Sequence, residues 1–162
     1  MKIERFQDCQ AEAVSNLIRR NLLEVNSQDY AEDFINSLVA YFSPATLLKN
    51  SQSQTIFVAT QDGAVVGTAS LDNFGSAESP DYYAVEVFVL PEFHRQGIGL
   101  RLMQAVELKA KEVGAEKVTL RASITAKGFY QKLGYRFRNG CEKLDEHGTY
   151  IMEKGIGDKD CG

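Results

Sequence analysis

The spacing of hydrophobic residues changes along this chain, and each change marks an element. Lys2 to Phe6 alternates polar with apolar and predicts a short first strand, with Asp8 placed to cap the helix after it. Val14, Leu17, Ile18, Leu22 and Val25 recur at three- and four-residue steps and predict one helical stripe. Tyr30, Phe34, Leu38 and Tyr41 predict a second, after the break at Asn26-Ser27. Ser43-Pro44, a cap residue followed by proline, opens a brief helix through Leu48. Thr55 to Thr60 and Ala64 to Leu71 are strand patterns joined by Gln61-Asp62-Gly63, where Asp-Gly supplies the positive φ of a tight hairpin. Asp72 to Asp81 is polar, contains Gly and Pro, and predicts a mobile loop.

The densest signal runs from Tyr82 to Val113. Tyr83 to Leu90 is rich in β-branched and aromatic residues and stops at Pro91, which has no amide to give a sheet ladder. Beyond a loop, Gly97-Ile98-Gly99 leads into Ile98, Leu102, Val106, Ala110 and Val113, one face of a helix that leaves Arg101, Glu107, Lys109 and Lys111 to solvent. A strand therefore feeds a glycine-marked turn into an amphipathic helix. That junction suits an anion, because the first helical turn has amides without intrahelical partners and carries the positive end of the helix dipole. Glycines at 97 and 99 let the backbone close on the anion, and Arg95 and Gln96 add donors beside it. A Walker loop needs Gly-Lys-Ser/Thr where Gly99-Leu100-Arg101 stand, and the dinucleotide fingerprint needs a small residue where Leu102 stands.

Val89, Pro91, Gly97 and Gly99, with His94 between them, resemble motif A of the GCN5-related N-acetyltransferases (GNAT), V-x-P-x-x-(R/Q)-x-x-G-x-(G/A). Residues 117 to 138 resemble the family's motif B, A-x-x-F-Y-x-x-x-G-F, with Ala126, Phe129, Tyr130 and Gly134 at its positions and Tyr135 replacing the final Phe. Phe57 to Leu71 is similar to the family's central hairpin. The departures are His94, where Arg or Gln is usual, and Ser123, where Asn is usual.

The resemblance implies an α/β (α+β) GNAT fold: a central mixed, mostly antiparallel twisted sheet of about seven strands flanked by helices, with residues 1–154 as one domain. It implies acetyl-CoA as cosubstrate, no metal, and an amine acceptor that is a small molecule, peptide or protein; many relatives pair as dimers. In the family the loop and helix start hold the pyrophosphate, and the strand before them lies along the pantetheine arm. Cofactor contact is thereby assigned to Val87, Phe88 and Val89 on the strand and to Arg95, Gln96, Gly97, Ile98, Gly99 and Leu100 in the turn, with Ser123 and Tyr130 added from motif B. The family's acceptor wall comes largely from the segment between the first two strands, which makes Glu24, Asp29, Tyr30 and Phe34 candidates to touch the acceptor.

A lysine-like amine, with a pKa of about 10.4, is mostly protonated near neutrality, so attack on a thioester requires a base or a proton-conducting water. Glu86 is the candidate: strand alternation sets Val85, Val87 and Val89 against Glu86, Phe88 and Leu90, so the carboxylate stands away from the valines. The amide of Phe88 or Val89 is the expected partner of the oxyanion. Tyr130 resembles the tyrosine that protonates the departing thiolate in many relatives, whereas Phe129 beside it reads as a core residue. His94 and His147 have no Ser or Cys nucleophile signature around them, and Cys141 has no recognisable partner. A noncatalytic acyl-CoA-binding module for sensing or assembly is the alternative; such a module has no need of both Glu86 and Tyr130.

At 162 residues and 44% hydrophobic content the chain is one domain with a sizeable core. The net charge of −4 disfavours nonspecific nucleic-acid binding, and Asp72, Glu78 and Asp81 are placed to draw an ammonium toward a cleft. Cys9, Cys141 and Cys161 lack CxxC spacing and suggest neither a disulfide framework nor a zinc site. No long apolar run or signal pattern is visible, so a cytoplasmic location without membrane contact is expected. Cys141 to Gly148 reads as a polar turn region, Thr149 to Lys154 as a last strand, and Gly155 to Gly162 as a frayed tail.

Overall fold

A computed structural model of the chain describes residues 1–157; Cys161 and most of the tail expected to fray lie outside the described residues. Seven strands form one sheet in the order β1-β2-β3-β4-β5-β7-β6, with β1 Lys2–Arg5, β2 Thr55–Gln61, β3 Ala64–Asn73, β4 Tyr82–Val89, β5 Lys117–Ala122, β6 Arg136–Phe137 and β7 Tyr150–Gly155. Every neighbouring pair is antiparallel except β4 and β5. Helices α1 Ala11–Glu24, α2 Glu32–Tyr41 and α3 Pro44–Asn50 connect β1 to β2, α4 Ile98–Glu112 connects β4 to β5, and α5 Lys127–Lys132 follows β5. None of these helices is long and apolar enough to cross a membrane.

Two apolar cores lie on the sheet's two faces. On one face α4 buries Ile98, Leu102, Met103, Val106 and Ala110 against residues such as Val66, Leu71 and Leu120. On the other, Val14, Leu17, Ile18 and Leu22 of α1 pack with Ile35, Phe42 and Val58. The hairpin between β2 and β3 turns at Asp62 (φ 52°) and Gly63 (φ 80°), as Asp-Gly requires. Ser43 Oγ accepts the Thr46 amide at 3.2 Å and starts α3.

Several expectations are corrected. Asp8 lies in a single 3₁₀ turn, Asp8–Gln10, and does not cap α1; instead Gln10 Oε1 accepts the Gln7 amide at 2.9 Å. In α2 the buried face is centred on Ile35, leaving Phe34 and Tyr41 exposed, and Val113 is likewise exposed beyond the end of α4. The loop from 74 to 81 is tied down: Asn73 Oδ1 accepts the amides of Gly75 and Asp81, each at 2.9 Å, and Phe74 donates to the Asp81 carbonyl. The first tail residues are tied too, since the Ile156 and Gly157 amides both donate to the Glu116 carbonyl.

The most consequential correction concerns β4. From Thr68↔Phe88 to Ser70↔Val85, β3 advances two residues while β4 advances three, which is a bulge, and Glu86 within it has φ 49°. The extra residue resets the alternation. Val87 and Val89 therefore pack with Ala84 on the α4 side, while Phe88 and Leu90 pack on the α1 side. The face shared by Val85, Val87 and Val89 in a regular strand does not exist.

Candidate active site

Tyr83↔Thr119 is the single register pair between β4 and β5. Beyond it the two parallel strands splay, so the later part of β4 has no partner on that edge. Leu90 donates to the Val66 carbonyl, so alternation turns the amide and carbonyl of Val89 the other way, into the splay. His94 meets that carbonyl there, its Nε2 2.7 Å from Val89 O and therefore carrying the proton. The histidine at the unusual motif position thus fastens the turn to the end of β4.

From that fastening the chain enters α4 through Arg95 (φ 63°) and Gly97 (φ 81°), two left-handed residues that reverse its direction. The first amide to return to the backbone is that of Arg101, which donates to Gly97 O at 3.1 Å. Among the described residues no hydrogen bond uses the amides of Arg95, Gln96, Gly97, Ile98, Gly99 or Leu100. A Cβ at Gly97 meets nothing within 4 Å, so the space over this turn is open. Gly99 has another role: a Cβ there would lie 3.0 Å from the Phe129 ring, and glycine is what lets that ring lie on the helix start. Phe129 is accordingly half-exposed and lines the cleft, not the core.

Two cavities open along the splay. One, of ≈640 Å³, runs over the turn and the start of α4 and is walled by His94, Gly97, Leu100, Thr125 and Phe129. The other, of ≈610 Å³, runs over the opposite side of β4 and is walled by Tyr30, Phe74, Asp81, Tyr83, Glu86 and Arg121. They meet at Val87, Phe88, Ser123, Ala126 and Tyr130, which line both. Asp29 lies across the first cavity, accepting from the Thr125 amide at 3.2 Å and from its hydroxyl at 2.9 Å. This is the shape required to hold a long, phosphate-ended molecule on one side and a second reactant on the other.

A family model described as "Acetyltransferase (GNAT) domain" matches residues 22–151. The chain belongs to the GNAT acetyltransferase family. A curated relative, "Probable N-acetyltransferase 14" of Danio rerio, is 29% identical over 106 residues, which is 62% of this chain and 37% of that protein. The chain thus spans well under half of that relative's length. In fold, the chain is similar to the PaiA N-acetyltransferase of Thermoplasma acidophilum, solved with coenzyme A, at a TM-score of 0.79 and 22% identity over 96% of this chain and 99% of that one. An aminoglycoside 6'-N-acetyltransferase complexed with coenzyme A gives 0.72 and 16%, over 96% and 98%. The seven-stranded mixed sheet flanked by helices is the GNAT fold.

Within this cleft, Glu86 and Tyr130 hold distinct positions. Glu86 Oε2 is buried without a hydrogen-bond partner. Burial, reinforced by the neighbouring Asp72 and only partly offset by Gln54, pushes its carboxyl up to about 7. Tyr130 is 7% exposed, its ring held edge-on by Phe129 at 5.1 Å and Tyr135 at 5.9 Å. Burial, with the Tyr30 phenol adding to it, raises the Tyr130 phenol well above its ordinary value, so it stays protonated. Ser123 has a local task as well: its Oγ accepts the Ala126 amide at 3.1 Å ahead of α5.

The other candidates divide. Asp29 and Tyr30 reach the cleft, and burial followed by Asp29 and Asp145 pushes the Tyr30 phenol up to about 12. Phe34 stands behind Tyr30, ring to ring at 5.4 Å. Glu24 is turned to solvent, where Arg20 joins it to Glu92. The Gln96 side chain is directed to the Glu92 carbonyl, so toward the cleft this residue offers only its amide. Asp72 faces Gln54 at 3.0 Å, Asp81 lines the second cavity and Glu78 is an exposed loop residue. His147 sits in the turn around Asp145, and Cys9 and Cys141 are free and exposed. Phe129, Thr125 and Arg121 line the cleft without having been singled out for it.

Proposed function

We propose that residues 1–154 form one catalytic domain that moves an acetyl group from acetyl-CoA to a primary amine by direct attack in a ternary complex. The observation that carries this reading is the row of six unused amides from Arg95 to Leu100 at the end of a cavity that joins a second one beside Glu86 and Tyr130. Those amides, with the Arg95 guanidinium, suit the pyrophosphate. The pantetheine arm follows Val87 to Val89, which brings the thioester to the junction of the two cavities. Glu86 takes the proton of the incoming ammonium, directly or through one water. Negative charge on the former carbonyl oxygen is met by an amide that faces the splay, which favours Val89 over Phe88. Tyr130, a protonated phenol shared by both cavities, gives its proton to the departing thiolate. Carbon–nitrogen formation and carbon–sulfur cleavage then leave free CoA and an amide, whose surplus N–H proton returns through water to the Tyr130 phenolate.

The test is release of free CoA thiol from acetyl-CoA with a broad amine panel. Turnover on at least one amine is expected; tight acetyl-CoA binding with no release on any amine would instead support the noncatalytic module. The cradle has its own test. Gly97→Asp puts a carboxylate at a left-handed position in the open space over the amides, and is expected to weaken acetyl-CoA binding at least about 100-fold by calorimetry. Unchanged affinity would remove the diphosphate from this turn.

A further inference from the structure

The second cavity contains two ionic groups with polar atoms that the protein itself leaves without hydrogen-bond partners. One is Glu86, described above. The other is Arg121, whose guanidinium makes no hydrogen bond among the described residues. Arg20 is engaged with Glu24 and Glu92, Arg138 with Glu153 and Thr119, and Arg19 with the Val39 carbonyl, whereas the side chains of Arg95, Arg121 and Arg136 make no such bond among the described residues; of these three, Arg121 lines the second cavity. Asp145 is near enough to feel the Arg121 charge, but its carboxylate is taken by the amides of His147 and Thr149 and by the Thr149 hydroxyl.

The fold decides where Arg121 points. On β5, Val118, Leu120 and Ala122 are buried in the α4-side core, so Thr119 and Arg121 stand on the opposite face, the one Tyr83 presents on β4. Counting two residues on from Tyr83↔Thr119 brings Arg121 level with Val85, one residue short of Glu86, across the splay. Asp81 also lines this cavity but lies five positions before Glu86, at roughly 3.3 Å per residue along the strand. An exposed cation and a buried carboxyl therefore border a common space, which Tyr30 and Tyr83 also line.

We propose that the acceptor is an amino acid, whose primary amine faces Glu86 while its carboxylate, a few bonds away, pairs with Arg121. A guanidinium takes a carboxylate through two parallel hydrogen bonds, which fixes orientation as well as position. Held at that end, the amine is aimed at the junction where the thioester lies. Arg121 is thus a specificity residue and takes no part in proton transfer. The proposal rests on the amine-acetylation reading above.

The experiment is steady-state kinetics on the twenty common amino acids and their carboxamides, which keep the amine and the side chain but lose the negative charge. For the best amino acid, kcat/KM is expected to exceed that of its carboxamide by about 30-fold or more, mostly through KM. Arg121→Ala should bring the acid down to the carboxamide and leave the carboxamide unchanged; Arg121→Lys should recover part of the preference. Circular dichroism and acetyl-CoA affinity report whether the variants keep the fold. Turnover with carboxamides as good as the acids, or an Arg121→Ala loss equal on both, overturns the amino-acid proposal and leaves amine acetylation standing. Tight acetyl-CoA binding with no turnover on any amine overturns both.

Discussion

Replacing Tyr130 with Phe is expected to lower kcat about 100- to 1000-fold while leaving acetyl-CoA affinity within about twofold. The reasoning separates the ring from the hydroxyl. The ring is packed edge-on between Phe129 and Tyr135, and phenylalanine keeps that packing. No hydrogen bond to the hydroxyl is formed within the described residues, so its removal breaks nothing in the fold. What disappears is a proton donor at the junction of the two cavities, needed only when the thiolate departs. A variant in which KM rises and kcat holds would make Tyr130 a wall residue. One with parental rates would take it out of the mechanism.

Glu86→Gln is expected to act on catalysis and stability in opposite directions. On catalysis, a base pushed up to about 7 predicts a kcat/KM that rises with pH through about 7; the variant should lose that limb and about 100-fold in rate at pH 8. On stability, the carboxyl loses its proton near 4.5 in the unfolded chain and near 7 in the native one. The native state holds the extra proton between those values, so stability is fullest below 4.5 and falls as pH rises through 7. The charged, buried carboxylate then costs the fold about 3 kcal/mol. Glutamine carries no charge, so the variant should melt roughly 5 °C or more above the parent at pH 8.5 and close to it at pH 4. Thermal melts across that range, beside the rate profile, check both signs. A variant less stable at pH 8.5 would mean that the carboxylate is solvated or paired, and a parent profile flat through 7 would remove Glu86 as the base. A stability penalty at a reacting group is the expected trade for a base held near neutrality.

Much of this was legible in the sequence because it rests on short-range rules. The Asp62-Gly63 hairpin, the Ser43 cap and the turn from β4 into α4 each follow from residues that allow few backbone conformations. The β4 bulge was not legible, since an inserted residue is visible only against the register of its partner strand, and without it alternation wrongly groups Val85 with Val87 and Val89. The site's side chains follow the same division. Tyr130 was recoverable from its motif position, but Phe129 was assigned to the core, whereas a step of about 100° around α5 from the buried Tyr130 turns it to the cleft. Arg121 carried a usable signal, being the polar position in a strand whose alternate residues Val118, Leu120 and Ala122 are all apolar. Its significance appears only once the splay sets it across from Glu86. The Asp29–Thr125 contact joins residues 96 positions apart and has no local signature.

The central claim is that the unused amides between Arg95 and Leu100 receive the diphosphate of acetyl-CoA and so set the thioester at the meeting point of the two cavities. A crystal structure of the protein with coenzyme A tests it most directly. The account predicts diphosphate oxygens about 2.7–3.2 Å from several of those nitrogens, with the CoA sulfur within reach of the Tyr130 hydroxyl. A diphosphate bound elsewhere, with those amides facing only water, would contradict it.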